Sequence, residues 1–345
     1  MTGPGLIPRE VASLVIELPS WVGDAVMATP VLRAARGACP GARITGLMRP
    51  GIDQVLAGCP YLDGAIVLDS RGLMGVLAVM RAVRRLRPGA ALLLPNSFRS
   101  ALAMRLAKVP RRVGYARDGR TWLLTAPVPW DRARRPVAAL DYYADLAKRA
   151  FGCDMSDRSV ELWRTEEEMA AADRLLEGVA GPFIVLNPGA NRREKRWPVE
   201  RFAEAGRQIR DTHGMSIVVN GSPGERSLVD DLCARCGERA INLAARGVTL
   251  GSLKEILRRA RLLITNDTGP RHIAAAVGRP AVVLFGPTDH RWTTLPGARE
   301  RLLLSEPFLP EDRVADDVAA LCPIERIAVS DVVRASALLL VADSA

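Results

Sequence analysis

Residues 13–24 read Ser13-Leu14-Val15-Ile16-Glu17-Leu18-Pro19-Ser20-Trp21-Val22-Gly23-Asp24. The run 13–18 is nearly unbroken in apolar and β-branched residues, the pattern of a strand covered on both faces rather than one alternating between core and water. Pro19 and Gly23 punctuate it, and a helical pattern follows to about Gly37. Strand, turn and helix in that order open a βαβ unit. Working outward, short apolar runs at 42–48, 64–69 and 90–95 alternate with helical stretches near 51–58, 73–87 and 98–108. The segment 110–135, rich in Arg, Pro and Trp, predicts loops and an edge hairpin, with a helix at about 137–151. An acidic helix at 165–179 crosses the linking stretch 152–182. The rhythm then restarts, with strands at 183–186, 216–220, 240–243, 262–265 and 281–285 and helices near 199–212, 224–236, 252–260, 270–278 and 324–341. The pattern predicts an α/β protein of two doubly wound parallel sheets, assigned to residues 1–165 and 166–345. The final helix is expected to pack back toward the first half. In such sheets ligands bind outside the carboxyl ends of the strands, so facing halves would put a site in the cleft between them.

Length agrees with two domains: the chain has 345 residues. Apolar residues make up 48% and aromatic ones only 5%, so the core must be built from Ala, Val, Leu and Ile. The net charge is +10, nearly all the cations being Arg; the four lysines are Lys108, Lys148, Lys195 and Lys254. Arg richness has two readings, a bias of base composition or an acidic partner. Nucleic acid is not expected, because no helix-turn-helix or RNA-binding signature is present. An anionic membrane surface and a phosphorylated small molecule remain. The six cysteines are scattered, and only Cys233 and Cys236 have metal-like spacing, inside a helical pattern; they read as reduced thiols of a cytosolic protein. The N-terminus lacks an apolar leader and the apolar runs are strand-sized, so a cytoplasmic location with peripheral membrane contact is expected.

Five turns that follow strands carry polar chemistry. In the first, Asp24 either caps a helix or aims a carboxylate into the cleft, and Trp21 in a turn is hard to explain by packing alone. The second is Leu94-Pro95-Asn96-Ser97-Phe98-Arg99-Ser100, in which Asn96 or Ser97 can cap the next helix. The third is Asn187-Pro188-Gly189-Ala190 followed by Lys195-Arg196-Trp197-Pro198, with Pro198 suited to a helix start. A lysine kept in an Arg-rich chain hints at a compact point charge for a phosphate; the alternative is a solvated basic loop. In the fourth, Thr265-Asn266-Asp267-Thr268-Gly269-Pro270-Arg271-His272, a helix opens at Pro270 and offers free N–H groups to an anion. The fifth is Gly221-Ser222-Pro223-Gly224-Glu225, where Glu225 either holds ribose hydroxyls or complements the helix dipole, and Gly286-Pro287-Thr288 faces the same edge.

No GxxxxGK[ST] loop, no GxGxxG after the first strand and no zinc cluster is present, and no Asp-x-Asp follows a strand to hold a metal diphosphate. No metal or cofactor is expected. Arg99, Arg105, Lys108, Arg111, Arg112, Arg117 and Arg120 lie within a short span, either as a solvated basic face or as ligands for an acidic partner.

Together the stretches PSWVGD, LPNSFRSA, PGA…KRWP, TNDTGPRH and FGPT resemble the bacterial ADP-heptose:lipopolysaccharide heptosyltransferases (glycosyltransferase family 9), most of all the heptosyltransferase II branch. The resemblance runs from about residue 13 to about 340. It implies a GT-B fold of two Rossmann-like domains, an ADP-heptose donor, a lipopolysaccharide-core acceptor and inversion at the anomeric carbon. Under it Asp24 matches the general base and Lys195 the lysine that meets the donor's phosphates and sugar. Asp267 matches a carboxylate near the donor sugar, and Thr268, Gly269 and His272 a pyrophosphate-facing segment. Glu225 matches the ribose-binding glutamate, Val248 an adenine-pocket position, and Gly189 lies in the donor-side turn. On the acceptor side the candidates are Trp21, Asn96, Ser97, Arg99 and Arg120. Pro270-Arg271 and the segment after Asp289 depart from the branch. A transferase using another nucleotide sugar, or a non-catalytic nucleotide-binding protein, are the competing readings.

Overall fold

The computed structural model describes residues 4–69, 72–130, 136–237, 239–306, 309 and 313–341. The chain divides into two compact units, Met1–Glu161 and Leu162–Ala345. In the first, strands β1 Ser13–Glu17, β2 Arg43–Met48, β3 Gly64–Val67, β4 Ala90–Leu93, β5 Arg111–Tyr115 and β6 Ala126–Val128 alternate with helices α1 Val22–Met27, α2 Thr29–Ala38, α3 Ile52–Val55, α4 Gly72–Leu86, α5 Phe98–Leu106 and α6 Ala139–Phe151. In the second, α7 Glu166–Leu175 precedes strands β7 Phe183–Asn187, β8 Ser216–Val219, β9 Ile241–Asn242, β10 Leu262–Asn266, β11 Ala281–Phe285 and β12 Glu300–Leu304. Its other helices are α8 Val199–His213, α9 Arg226–Cys236, α10 Leu250–Arg259, α11 Gly269–Ala276 and α12 Val329–Val341.

Both sheets are parallel throughout, in the orders β3-β2-β1-β4-β5-β6 and β12-β11-β10-β7-β8-β9. Renumbered within its own unit, the second order is the first, the doubly wound Rossmann arrangement. Its switch points fall between β1 and β4 and between β7 and β10. The strands that flank them are buried along almost their whole length, which is why their sequences run apolar without alternation.

Three expectations change. The helix expected to run to Gly37 is two, because Pro30 lacks the N–H an unbroken helix needs and sits instead in the first turn of α2. The edge hairpin of 110–135 is absent from the described part: β5 and β6 pair in parallel, with the short 3₁₀ turn Thr121–Leu123 in the crossover. Residues 131–135 lie outside the described residues. β12 is a sixth strand where none was read. The final helix α12 joins the core of its own unit, where Val332, Ala335, Leu339 and Leu340 pack with Ile184, Phe202, Ile264 and Val282. That face of α12 is buried against its own sheet, while Leu338 and Val341 on the other side stay exposed. Among the described residues no helix is long and apolar enough to cross a membrane.

Candidate active site

In the first unit the turn after β1 leads into α1, and Trp21, not Asp24, holds the N-cap position. Asp24 is the third helical residue, so the capping role considered from sequence does not apply. Its carboxyl is hydrogen-bonded to the buried Tyr143 hydroxyl on α6 and, held from water by its surroundings, is pushed up to about 6. Burial is the larger cause and the Tyr143 bond opposes it. A carboxyl that titrates close to neutrality is suited to taking a proton. Trp21 is 66% exposed, a flat ring free for a ligand.

The turn after β4 is built around a buried cation. Arg120 has no exposed surface. It donates to the Tyr115 carbonyl at 3.1 Å, to Asn96 Oδ1 at 3.2 Å and to the Pro95 carbonyl, fixing that turn from beneath. Asn96 Oδ1 also accepts from the Tyr142 hydroxyl at 2.8 Å. Arg120 is therefore a positioning residue and not the acceptor ligand expected from the Arg run: its guanidinium is spent on the chain itself. Arg99 is exposed. Ser97 is the N-cap of α5, yet its side chain makes no cap bond.

Beside this turn lies Glu17, the last residue of β1, a buried carboxyl unnoticed in the sequence. Ser100 Oγ donates to its Oε1 at 2.5 Å, and its Oε2 has no hydrogen-bond partner among the described residues. Burial pushes it up to about 7, against the pull of Ser100 and Arg120. Between its ordinary range and pH 7 the unfolded chain releases a proton that the folded chain keeps, so stability falls as pH rises through that window. Glu17→Gln should be more stable than the native protein at pH 8, on the order of 1–3 kcal/mol, and lose the advantage below pH 5. Urea denaturation at both pH values checks this; a variant less stable at pH 8 would mean that attraction to Arg120 outweighs burial.

In the second unit two asparagines bolt the turns together. Asn187, ending β7, donates to Thr265 Oγ1 at 3.0 Å and Thr268 Oγ1 at 3.1 Å. Asn266, ending β10, accepts from the Trp197 amide at 3.1 Å and donates to the Pro188 carbonyl at 2.8 Å. Trp197 is buried against Phe202 and its Nε1 donates to the Ile327 carbonyl at 3.0 Å. The indole anchors the loop that presents Lys195 two residues earlier. Lys195 Nζ lies 3.5 Å from Asp267 Oδ2, at the long end of contact, both side chains being mostly buried. Thr288 Oγ1 reaches the same oxygen at 3.4 Å.

Arg271, one of the departures from the family pattern, is fully buried. All its N–H donors are used, on Glu300 at 2.9 and 2.7 Å, Thr293 at 2.7 and 3.0 Å and Asp267 Oδ1 at 3.3 Å. It ties α11 to the start of β12 and leaves nothing for a ligand. Thr268 is the N-cap of α11, but its hydroxyl bonds toward Asn187 and Thr265, so it makes no cap bond and the helix's first N–H groups are left without it. His272 is buried, and burial with Arg271 beside it pushes the imidazole down to about 3. It is neutral, its Nδ1 has no partner among the described residues, and it adds no charge to an anion.

Glu225 closes a capping box: its Oε2 accepts from the Ser222 amide at 2.9 Å and hydroxyl at 2.7 Å. A Cβ on Gly189 would sit 2.3 Å from Glu225 Oε1, so only glycine lets that carboxylate lie on the turn after β7. Val248 is half-buried ahead of α10. Tyr143 and Glu17 are the site residues the sequence reading missed. The spacing of Leu140, Tyr143, Ala144 and Ala147 on one buried face of α6 could have flagged Tyr143, since a buried phenol needs a partner.

Two doubly wound Rossmann-like sheets in one chain are the GT-B architecture that the family motifs implied. A family model, Glycosyltransferase family 9 (heptosyltransferase), matches residues 76–315, and the chain belongs to that family. Lipopolysaccharide heptosyltransferase 2 of Escherichia coli (strain K12) is 28% identical over 295 residues, covering 80% of this chain and 83% of that protein. The crystal structure of the glycosyl transferase family 9 from Veillonella parvula DSM 2008 matches with a TM-score of 0.83 at 23% identity, covering 96% of this chain and 97% of that one. The structure of E. coli ADP-heptose lps heptosyltransferase II matches with a TM-score of 0.81 at 24% identity, over 96% and 100%.

Proposed function

We propose that this glycosyltransferase moves heptose from ADP-heptose to the lipopolysaccharide inner core, with inversion at the anomeric carbon. The observation that carries the reading is the second unit's switch point, where Lys195 is pinned beside Asp267 next to the amino end of α11. That is a place for a diphosphate leaving group. Membership of the family and the likeness to heptosyltransferase 2 support the donor and acceptor.

The acceptor hydroxyl attacks the anomeric carbon as the bond to the diphosphate breaks, and its proton passes to Asp24. A single displacement from the face opposite the leaving group inverts the centre. Lys195 and the N–H groups of α11 take up the charge that develops on ADP. Asp267 orients Lys195 and lies by the donor sugar; Glu225, with Oε1 left over from its capping box, holds the ribose. Val248 lines the adenine. Trp21, Asn96, Ser97 and Arg99 meet the acceptor, and no metal takes part. A lipid-linked acceptor places the enzyme on the cytoplasmic face of the inner membrane.

The test is turnover of the purified protein with a panel of nucleotide sugars and a deacylated core acceptor. ADP-heptose should be the preferred donor, and preference for another nucleotide sugar would overturn the assignment. In the same assay the rate should fall as pH drops through about 6, where Asp24 gains its proton. A rate flat down to pH 5 would remove Asp24 as the base.

A further inference from the structure

Helix α4 carries an outer face that the proposed reaction does not use. Leu73 and Met74 are each 72% exposed, and Arg81, Arg84 and Arg85 on the same helix are exposed too. At helical spacing these five share one side, with half-buried Leu77 and Ala78 between them, while Val76, Val79 and Val83 face the core. The helix contains no acidic and no aromatic residue. Its carboxyl end opens on a cavity of about 940 Å³ lined by Arg81, Arg84, Arg85, Arg87 and Lys108 with no carboxylate among the lining residues. The cavity lies at the amino ends of β4 and β5, the opposite edge of the sheet from the polar turns.

Two features mark this patch, in which five cations line one cavity. None of the five cationic side chains has a hydrogen bond or ion-pair partner among the described residues, whereas Arg33, Arg36, Arg158, Arg259, Arg271 and Arg291 are all paired. Arg87 and Lys108 also hold positive φ angles of 47° and 61° at helix ends, a conformation usually left to glycine.

We propose that the outer face of α4 and the adjoining cavity form the surface by which the protein docks on an anionic phospholipid bilayer, the cations meeting headgroup phosphates and Leu73 and Met74 entering the interface. A soluble phosphate would give the two exposed apolar side chains nothing to do. Single-stranded nucleic acid is read by stacking on aromatic rings, and α4 has none. An apolar end beside a cationic end is the composition of an interfacial helix. The surface deepens the proposed function, which already puts the enzyme at the membrane, and its test needs no turnover, so it can fail while the reaction stands.

Full-length protein is sedimented with vesicles of phosphatidylcholine alone and of equimolar phosphatidylcholine and phosphatidylglycerol. Binding should require phosphatidylglycerol and weaken as salt is raised. R81E/R84E/R85E should weaken it at least about tenfold, and L73S/M74S should weaken it several-fold at unchanged charge, both with native ADP affinity and melting behaviour. Equal binding to both vesicles, or native-like binding by the apolar and the charge variants alike, overturns the proposal. So does release from the vesicles by short RNA or inorganic phosphate at concentrations that leave ionic strength unchanged. If the triple variant is unstable, L73S/M74S decides alone.

Discussion

Asp24→Asn should lower turnover by about 10²–10⁴-fold, the usual worth of a positioned general base, while ADP affinity stays native. The structure makes the substitution a clean one. Asp24 is inside the first turn of α1 and makes no cap bond, so the variant loses no cap. Asn keeps the shape and can still accept from the Tyr143 hydroxyl. The carboxyl is already held above its ordinary range by burial, so replacing it with a neutral amide does not leave a buried charge behind. Stability should therefore hold, or rise above pH 6 by the same linkage as at Glu17, and any large loss of turnover is chemical. Under the proposed function donor binding rests on residues of the other unit, Lys195, Glu225 and the first turn of α11. Steady-state kinetics with ADP binding by calorimetry separates the two. Turnover within a few-fold of native would sink the assignment, and weakened ADP binding would point to a folding defect instead.

How far the sequence could be read follows from the length scale of each signal. β1, β4, β7 and β10 declared themselves because a strand covered on both faces is apolar along its whole length. β12 opens on Glu300 and Arg301 at a sheet edge and is only partly buried, so its pattern looked like loop. The hairpin expected at 110–135 rested on a segment rich in Arg, Pro and Trp; a turn does form at Asp118-Gly119, both with positive φ, but a local turn does not say whether the chain returns antiparallel. The polar turns were found because they follow strands. Which side chains face a ligand was not legible. Arg120 and Arg99 lie in one basic run, yet one is buried under the turn and the other exposed. The scarcity of lysine marked Lys195, but it marks Lys254 equally, and Lys254 is a buried partner of Glu168 at 2.9 Å. Tyr143 reaches Asp24 only once α6 is folded against α1, a contact with no local trace.

Lys195→Ala should cost the transition state several kcal/mol, in the range of losing one strong electrostatic contact, or about 10²–10³-fold in turnover. As the glycosidic bond breaks the diphosphate gains negative charge, and something fixed in place must meet it. Among the described residues no cluster of three or more His, Cys, Asp or Glu side chains is arranged to hold a metal ion, and the proposal gives the task to Lys195 with the first N–H groups of α11. Lys195 suits it because the loop is held by Trp197 and Asn266, so its position is prepaid in folding. Arg271, the other cation beside Asp267, cannot substitute, since every donor it has is committed to Glu300, Thr293 and Asp267. Lys195→Arg should recover only part of the loss: the planar fork is bulkier than an ammonium and is drawn to bridge both Asp267 oxygens. Activity should persist in EDTA. If EDTA abolishes turnover, Mg²⁺ restores it and Lys195→Ala remains active, the leaving group is met by a metal and Lys195 is no more than the partner of Asp267.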